Sequence, residues 1–361
     1  VKIRIRHTDS GIALIIVLLV IVVLGMLAAA FAYSMKVETK LARNANHDAE
    51  LEWLGRSGIE VARYVLAQEG TGPWGQYDSL MHKWAGGPGD SNSVASAIPM
   101  ENYQLGSGSF SVKIVDFDRK LNINTADENI LKHALSLVGV EGAERDAIVG
   151  AILDWRDPDD STHVGGAESD DYQSNPNPGF PPYNAKNGPI DDLTELLLVK
   201  GVTPAMYWGS GSGHAPLPRR RVSGSQSPFE EVTYAVGLVD VFTPLSSRQI
   251  NINTASATVL QIFPGIDENI AGMIMGPQGR AGIDGAEGTI DDTPFRSPGD
   301  LARVLGPNAA MIQQFMQYFT VRSLIFEVRV EARIDNVRRE YVALLRRGNP
   351  RDIQILNMYW R

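Results

Sequence analysis

The chain of 361 residues contains no cysteine, so disulfide frameworks and thiolate metal sites are excluded. Its six histidines, His7, His47, His82, His133, His163 and His214, form no HxxxH-type pair of the kind that zinc enzymes use. GxSxG, P-loop and dinucleotide fingerprints are missing as well, and catalysis is not expected. Positive charge is in short supply. The net charge is −9, and an acidic body repels polyphosphate, so nucleic acid is not expected as a partner. The 43% apolar content excludes wholesale disorder. Charge of either sign is absent from Ile12 to Tyr33, and that gap is the most informative one in the chain.

The uncharged run reads IALIIVLLVIVVLGMLAAAFAY, long enough as a helix (about 33 Å) to cross a hydrocarbon core. Lys2, Arg4 and Arg6 precede it, so the positive-inside rule keeps residues 1–11 in the cytoplasm and exports the rest. A signal peptide cut near Ala28–Ala30 and a plain membrane anchor are both compatible with this composition. A third reading fits better. The segment resembles a prepilin leader, short and basic, with Gly11 directly before Ile12-Ala13-Leu14-Ile15. That resemblance implies cleavage by prepilin peptidase between Gly11 and Ile12, and N-methylation of Ile12. Beyond the run, Val37, Leu41, Ala45, Ala49, Leu54, Val61, Val65 and Leu66 recur at roughly helical spacing, without proline through residue 68. The pilin resemblance implies one continuous stem helix, half membrane-spanning and half amphipathic.

Residues 70–109 are rich in Gly, Pro, Ser and Asn and read as loop. Phe110, Val112 and Ile114 alternate, which predicts a strand to about Phe117. Phe326, Val328, Val330 and Ala332 alternate again, as do Tyr341, Ala343 and Leu345, with Asp335-Asn336 between them as a hairpin turn. The intervening stretch reads as helical, through ADENILKHALSLV, ERDAIVGAILDW, DLTELLLV, ENIAGMIM and NAAMIQQFMQ. Within it, NINTADENIL and NINTASATVL are near-repeats, with Thr125 and Thr254 as expected helix N-caps. Each repeat leads into a segment that resembles a helix-hairpin-helix unit. DNA-gripping hairpins present bare helix N-termini, whereas this chain places Glu141 and Asp267 there, which repel phosphate and suit the helix dipole instead.

Two acidic clusters stand out. Asp154, Asp157, Asp159 and Asp160 are followed by Glu168, Asp170 and Asp171, a dense set of hard oxygen ligands. Either solvent or a cation such as Ca²⁺ has to compensate such a loop. The second cluster, Asp284, Glu287, Asp291 and Asp292, lies in a Gly-rich loop and ranks below the first as a metal site.

Taken with LNINTADENIL, AILDWRDPDD, GGAESDDYQS, PPYNAKNGPIDDLTELLLVKGVTP and INTASATVLQIFP, the chain resembles the K-type minor pseudopilins of type II secretion systems. Ile16 agrees with this, since it stands where major pilins carry a glutamate that pairs with the next subunit. The resemblance implies an α+β, type IV pilin-like fold, with a long N-terminal helix, a small antiparallel sheet and a large helical insertion containing helix-hairpin-helix-like repeats. The implied organisation is leader 1–11, transmembrane helix 12–34, stem, loop and first strand 35–124, helical insertion 125–318 and C-terminal strands 319–361. It further implies calcium in the first acidic cluster, with Asp157, Asp159, Glu168 and Asp171 as ligands and Asp160 and Asp170 as substitutes. The implied place is the inner membrane with the C-terminal domain in the periplasm, at the pseudopilus tip, beside minor pseudopilins of the I and J types. A membrane-anchored helix-hairpin-helix DNA-binding protein and a minor pilin of a type IV pilus are the alternatives.

Overall fold

The computed structural model describes residues 10–71, 74–210, 234–306 and 309–361. Residues 1–9 of the expected leader, with Lys2, Arg4 and Arg6, lie outside the described residues, as does His214. One helix, α1 (Ser10–Glu69), carries both the uncharged run and the amphipathic stem, and Gly11 and Ile12 lie in its first turn. The large apolar side chains from Leu14 to Phe31 are exposed. The second half of α1 buries Leu51, Leu54, Ile59, Ala62, Val65 and Leu66. Gly55 and Gly58 explain themselves here. A Cβ on Gly55 would enter the Tyr341 ring, and one on Gly58 would enter Val330, so the helix lies closer to the sheet than any side chain would permit. Helix propensity lost at two glycines is about 1 kcal/mol each, which close packing offsets.

After α1 come two 3₁₀ turns, Lys83–Ala85 and Val94–Ala97, then β1 (Tyr103–Leu105) and β2 (Gly108–Asp116). The chain now leaves the sheet and builds the helical insertion, which has two units. Unit one runs through β3 (Leu121–Asn122), α2 (Glu128–Val138), α3 (Gly142–Arg156), α4 (Ser169–Ser174), a 3₁₀ turn at Leu193–Leu198, α5 (Pro204–Trp208), α6 (Leu238–Val241) and β4 (Phe242–Thr243). Unit two runs through β5 (Ile250–Asn251), α7 (Ala257–Leu260), α8 (Glu268–Met275), a 3₁₀ turn at Pro298–Leu301, α9 (Ala302–Leu305), α10 (Ala309–Met316) and β6 (Phe319–Thr320). The insertion is therefore not purely helical. Each unit is closed by a two-residue parallel bridge, β3 with β4 and β5 with β6. Phe319 and Thr320, expected with the C-terminal strands, belong to the second of these bridges.

The chain returns as β7 (Ile325–Ile334), β8 (Val337–Asn349) and β9 (Asp352–Trp360). These join β1 and β2 in one antiparallel sheet of order β1-β2-β7-β8-β9. Asp335-Asn336 makes the expected two-residue turn, with Ile334 opposite Val337 and Asp335 in the left-handed region at φ 50°. Phe110, Val112, Ile114, Phe326, Val328, Val330, Ala332, Tyr341, Ala343 and Leu345 all face α1 and are buried. Each large apolar side chain among them contributes about 1.5–3 kcal/mol.

The head has its own core, from Leu121 to Val321. Its near-repeats make matching bonds. Asn124 exchanges two hydrogen bonds with the Ile190 backbone at 2.8 Å, and Asn253 does the same with Phe295 at 2.9 Å. Arg156 donates to Ile123 O and Ala126 O, while Arg280 donates to Ile252 O and Ala255 O. The expected N-caps are displaced by two residues. Asp127 accepts from Ile130 N at 2.9 Å to cap α2, and Ser256 accepts from Val259 N at 3.3 Å to cap α7. Thr254 is drawn into tertiary contact instead, donating to Asp116 Oδ2 at 2.6 Å, and Thr125 donates to Asn122 O.

Sheet and head meet in a buried polar joint. Asp118 accepts from Ser247 N with one oxygen and from Leu324 N with the other, both at 2.5 Å. Arg347, 1% exposed, donates to Asp78 and to Ser323 O. Glu69, at the end of α1, accepts from Lys83 N at 2.6 Å and Trp84 N at 2.9 Å.

Candidate metal centre

Helix α3 carries Asp154 on its buried face and ends at Arg156, and the loop from Asp157 to Glu168 then folds back over the same helix. Asp154 organises that return. Its Oδ1 accepts from His163 N at 2.9 Å and meets His163 Nδ1 at 2.5 Å, while Oδ2 accepts from Ala167 N at 2.7 Å. The loop presses so closely that a Cβ on Gly166 would sit inside Asp154 Oδ2. Asp154, Asp157 and His163 bring potential ligand atoms within 4.8 Å of one another.

Several oxygens in and around this loop are buried without a donor. Asp157 Oδ1, both carboxylate oxygens of Glu168, and Asn187 Oδ1 have no hydrogen-bond partner among the described residues. An unpaired buried carboxylate costs several kcal/mol in principle (~1–3 or more), so the arrangement is costly without a counter-charge. Burial, followed by repulsion from Asp154, Asp157, Asp160 and Asp159, pushes the Glu168 carboxyl up to about 7. Burial and the neighbouring Asp159 and Asp154 raise Asp157 too. His163 is held protonated more strongly than usual by its bond to Asp154.

Of the residues expected as ligands, Asp157 and Glu168 therefore present free oxygens. Asp159 is exposed, and its Oδ1 accepts from Ser161 N at 2.8 Å, which lowers its pKa. Asp171 turns away, accepting from Glu168 N at 3.3 Å and pairing with Lys200 Nζ at 3.2 Å. Asp160 Oδ1 accepts from Asn187 Nδ2 at 2.8 Å, and Asp170 is exposed. Asn187, Asp154 and His163 were not among the expected ligands. Asn187 carries a signal in hindsight, because Asn-Gly at 187–188 permits the left-handed backbone, here φ 46°, that turns its side chain inward. The residues present fit a hard cation: the buried atoms without a donor are all oxygens, three of them on carboxylates.

The second cluster is different. Glu287 accepts from Arg280 Nε at 2.6 Å, Asp291 from Thr289 Oγ1 at 2.8 Å and Asp284 N at 3.1 Å, and Asp292 from Gly288 N at 2.8 Å. The two acidic hairpin positions behave as helix starts. Asp267 caps α8 by accepting from Ile270 N at 2.8 Å, and Glu141 precedes α3 at its N-cap.

Comparison with known proteins gives a consistent picture. Residues 111–208 match the family model of type II secretion system (T2SS), protein K. Type II secretion system protein K of Pseudomonas aeruginosa is 24% identical over 97% of this chain and 92% of its own length. The protein of the same name from Klebsiella pneumoniae is 22% identical over 56% of this chain and 61% of its own. In the solved GspK-GspI-GspJ complex of the type 2 secretion system of enterotoxigenic Escherichia coli, one chain superposes with a TM-score of 0.60. That match covers 89% of this chain and 99% of the other at 16% identity, which establishes a common fold. The full-length likeness and the family-model match over residues 111–208 agree in pointing to similarity with type II secretion system protein K.

Proposed function

We propose that the protein is a minor pseudopilin that caps the pseudopilus tip of a type II secretion system, in complex with minor pseudopilins of the I and J types. The observation that carries this is architectural. A single helix runs from an apolar, exposed half onto an antiparallel sheet, and a two-unit head with its own core is inserted between β2 and β7 of that sheet. Such a head blocks regular stacking of identical subunits above it, so the chain suits one end of a filament. Ile16, in the place of the pairing glutamate, supports that position, since a carboxylate within a bilayer is costly without a partner. The apolar half of α1 holds the protein in the inner membrane, with sheet and head in the periplasm. Processing follows Gly11 and leaves a methylated Ile12. The near-repeats of the head are helix-hairpin-helix-like units used as scaffold.

Calcium is part of this reading. Asp157, Glu168 and Asn187 supply buried oxygens, with Asp159 at the exposed side; the cation would neutralise the loop and fasten it over α3. The test is co-purification of the full-length chain, in detergent, with its I- and J-type companions. A stable ternary complex is expected, and failure of both companions to bind would overturn the assignment. Mass spectrometry of the N-terminus from the native host is expected to show methylated Ile12.

A further inference from the structure

The two units of the head face one problem, a crowded acidic loop, and meet it differently. In both, an arginine, Arg156 at the end of α3 and Arg280 in the turn after α8, holds two carbonyls of the Ile-Asn-Thr-Ala turn. In unit two that arginine does more. Arg280 is 4% exposed, its Nη1 and Nη2 hold Ile252 O at 2.5 Å and Ala255 O at 2.7 Å, and its Nε donates to Glu287 Oε1 at 2.6 Å. One guanidinium thus fastens the acidic loop to the turn that opens the unit. Its planar fork can serve three acceptors at once, which a point charge could not do with the same directionality. The loop closes around it: Asp284 and Gly288 donate backbone N–H groups to Asp291 and Asp292, and Thr289 bridges the same two carboxylates. In unit one the corresponding loop is longer, Asp157 and Glu168 keep oxygens without donors, and Arg156 is spent on the carbonyls.

We propose that Arg280 is the built-in cation of the second acidic loop, a positioning residue that makes this loop independent of divalent metal. The contrast with unit one rests on the calcium reading of that unit; the role of Arg280 does not. A covalently attached guanidinium needs no recruitment from solvent, so the second loop is closed whenever the chain is folded. Glu287 is the link. Without it, Arg280 still holds its two carbonyls, but the loop loses its tie to the buried charge.

The experiment is amide hydrogen exchange on the full-length chain in detergent, with peptides covering residues 157–168 and 282–292, in chelator and in Ca²⁺. In the wild type, residues 282–292 are expected to exchange at the same rate in both. In Glu287→Gln, exchange there is expected to rise about tenfold or more while residues 250–255 stay protected, because the neutral amide no longer ties the loop to the buried charge. Arg280→Gln is expected to loosen both segments, and Arg280→Lys to restore part of the protection. Wild-type protection of residues 282–292 in Glu287→Gln would overturn the proposal, as would a chelator response of that segment in the wild type. If residues 157–168 ignore Ca²⁺, the calcium reading fails, and the Glu287→Gln result still decides the role of Arg280.

Discussion

The pilin half and the head are held together by different means. In the pilin half, long elements present continuous apolar faces: α1 lies on β2, β7 and β8, and the fit is tight enough to require Gly55 and Gly58. In the head, many helices are only four to eight residues long, too short to be stable alone. Side chains bonded to backbone fix them, with Asn124, Asn253, Arg156 and Arg280 bridging segments distant in sequence. The difference teaches that close packing of long elements sets the geometry of one half, whereas in the other an apolar core is joined by side chain-to-backbone bonds that fix its short helices.

That contrast can be broken by perturbing each half in its own terms. The largest effect is expected from Gly58→Leu, which drives a side chain into Val330 and Phe110 and should cost about 3 kcal/mol or more. Thermal unfolding should show this loss with no dependence on calcium; a neutral result would mean the helix can lift off the sheet. Next, saturating Ca²⁺ at a hundred times its dissociation constant should stabilise the head by about 2.7 kcal/mol, and chelator should remove that gain. Indifference of the melting temperature to both would contradict the metal centre.

A smaller effect is expected from pH in chelator. Glu168 rises from its ordinary 4.5 to about 7 in the folded chain, so the fold holds a proton that the unfolded chain releases. Stability from this group is full below about pH 4.5 and is lost as pH rises through about 7. Denaturant titrations from pH 5 to 8 should show this decline in chelator and a flatter profile with Ca²⁺. A Glu168→Gln variant that kept the full decline would assign it elsewhere. The smallest effect is expected from Lys200→Ala, which removes a half-exposed pair with Asp171 at 3.2 Å and should change stability by no more than about 0.5 kcal/mol. A larger loss would show that Asp171 is more than a surface residue.

The same contrast decides what could be read in the sequence. Period-two alternation at Phe326–Ala332 and Tyr341–Leu345 and the Asp335-Asn336 turn are local signals, and they appear in the sheet in the expected register. The paired NINTA segments are visible as repeats, yet propensity alone favours the first suitable hydroxyl and so points to Thr125 and Thr254 as caps. Asp116, from a different strand, takes Thr254, and the helix begins later, at a cap on Ser256. At the acidic cluster, the family resemblance singles out Asp157, Asp159, Glu168 and Asp171, and of these Asp157 and Glu168 hold buried oxygens without a donor among the described residues. It could not show that Asp154 would be saturated by His163 and Ala167, or that Asn187 would turn inward from a later loop. Strand β9 shows the limit again: its burial alternates poorly at the edge of the sheet, so little in its sequence announces it.

The polar joint has a mechanical consequence. Glu69 grips the chain just beyond the stem, Arg347 ties β8 to Asp78, and Asp118 holds the closing ends of both head units with its two oxygens. These bonds are short, directional and mostly shielded from water, so they resist shear better than an apolar contact, which can slide. A load applied along α1 would therefore displace stem and head as one stiff piece, with little lost in bending at the neck.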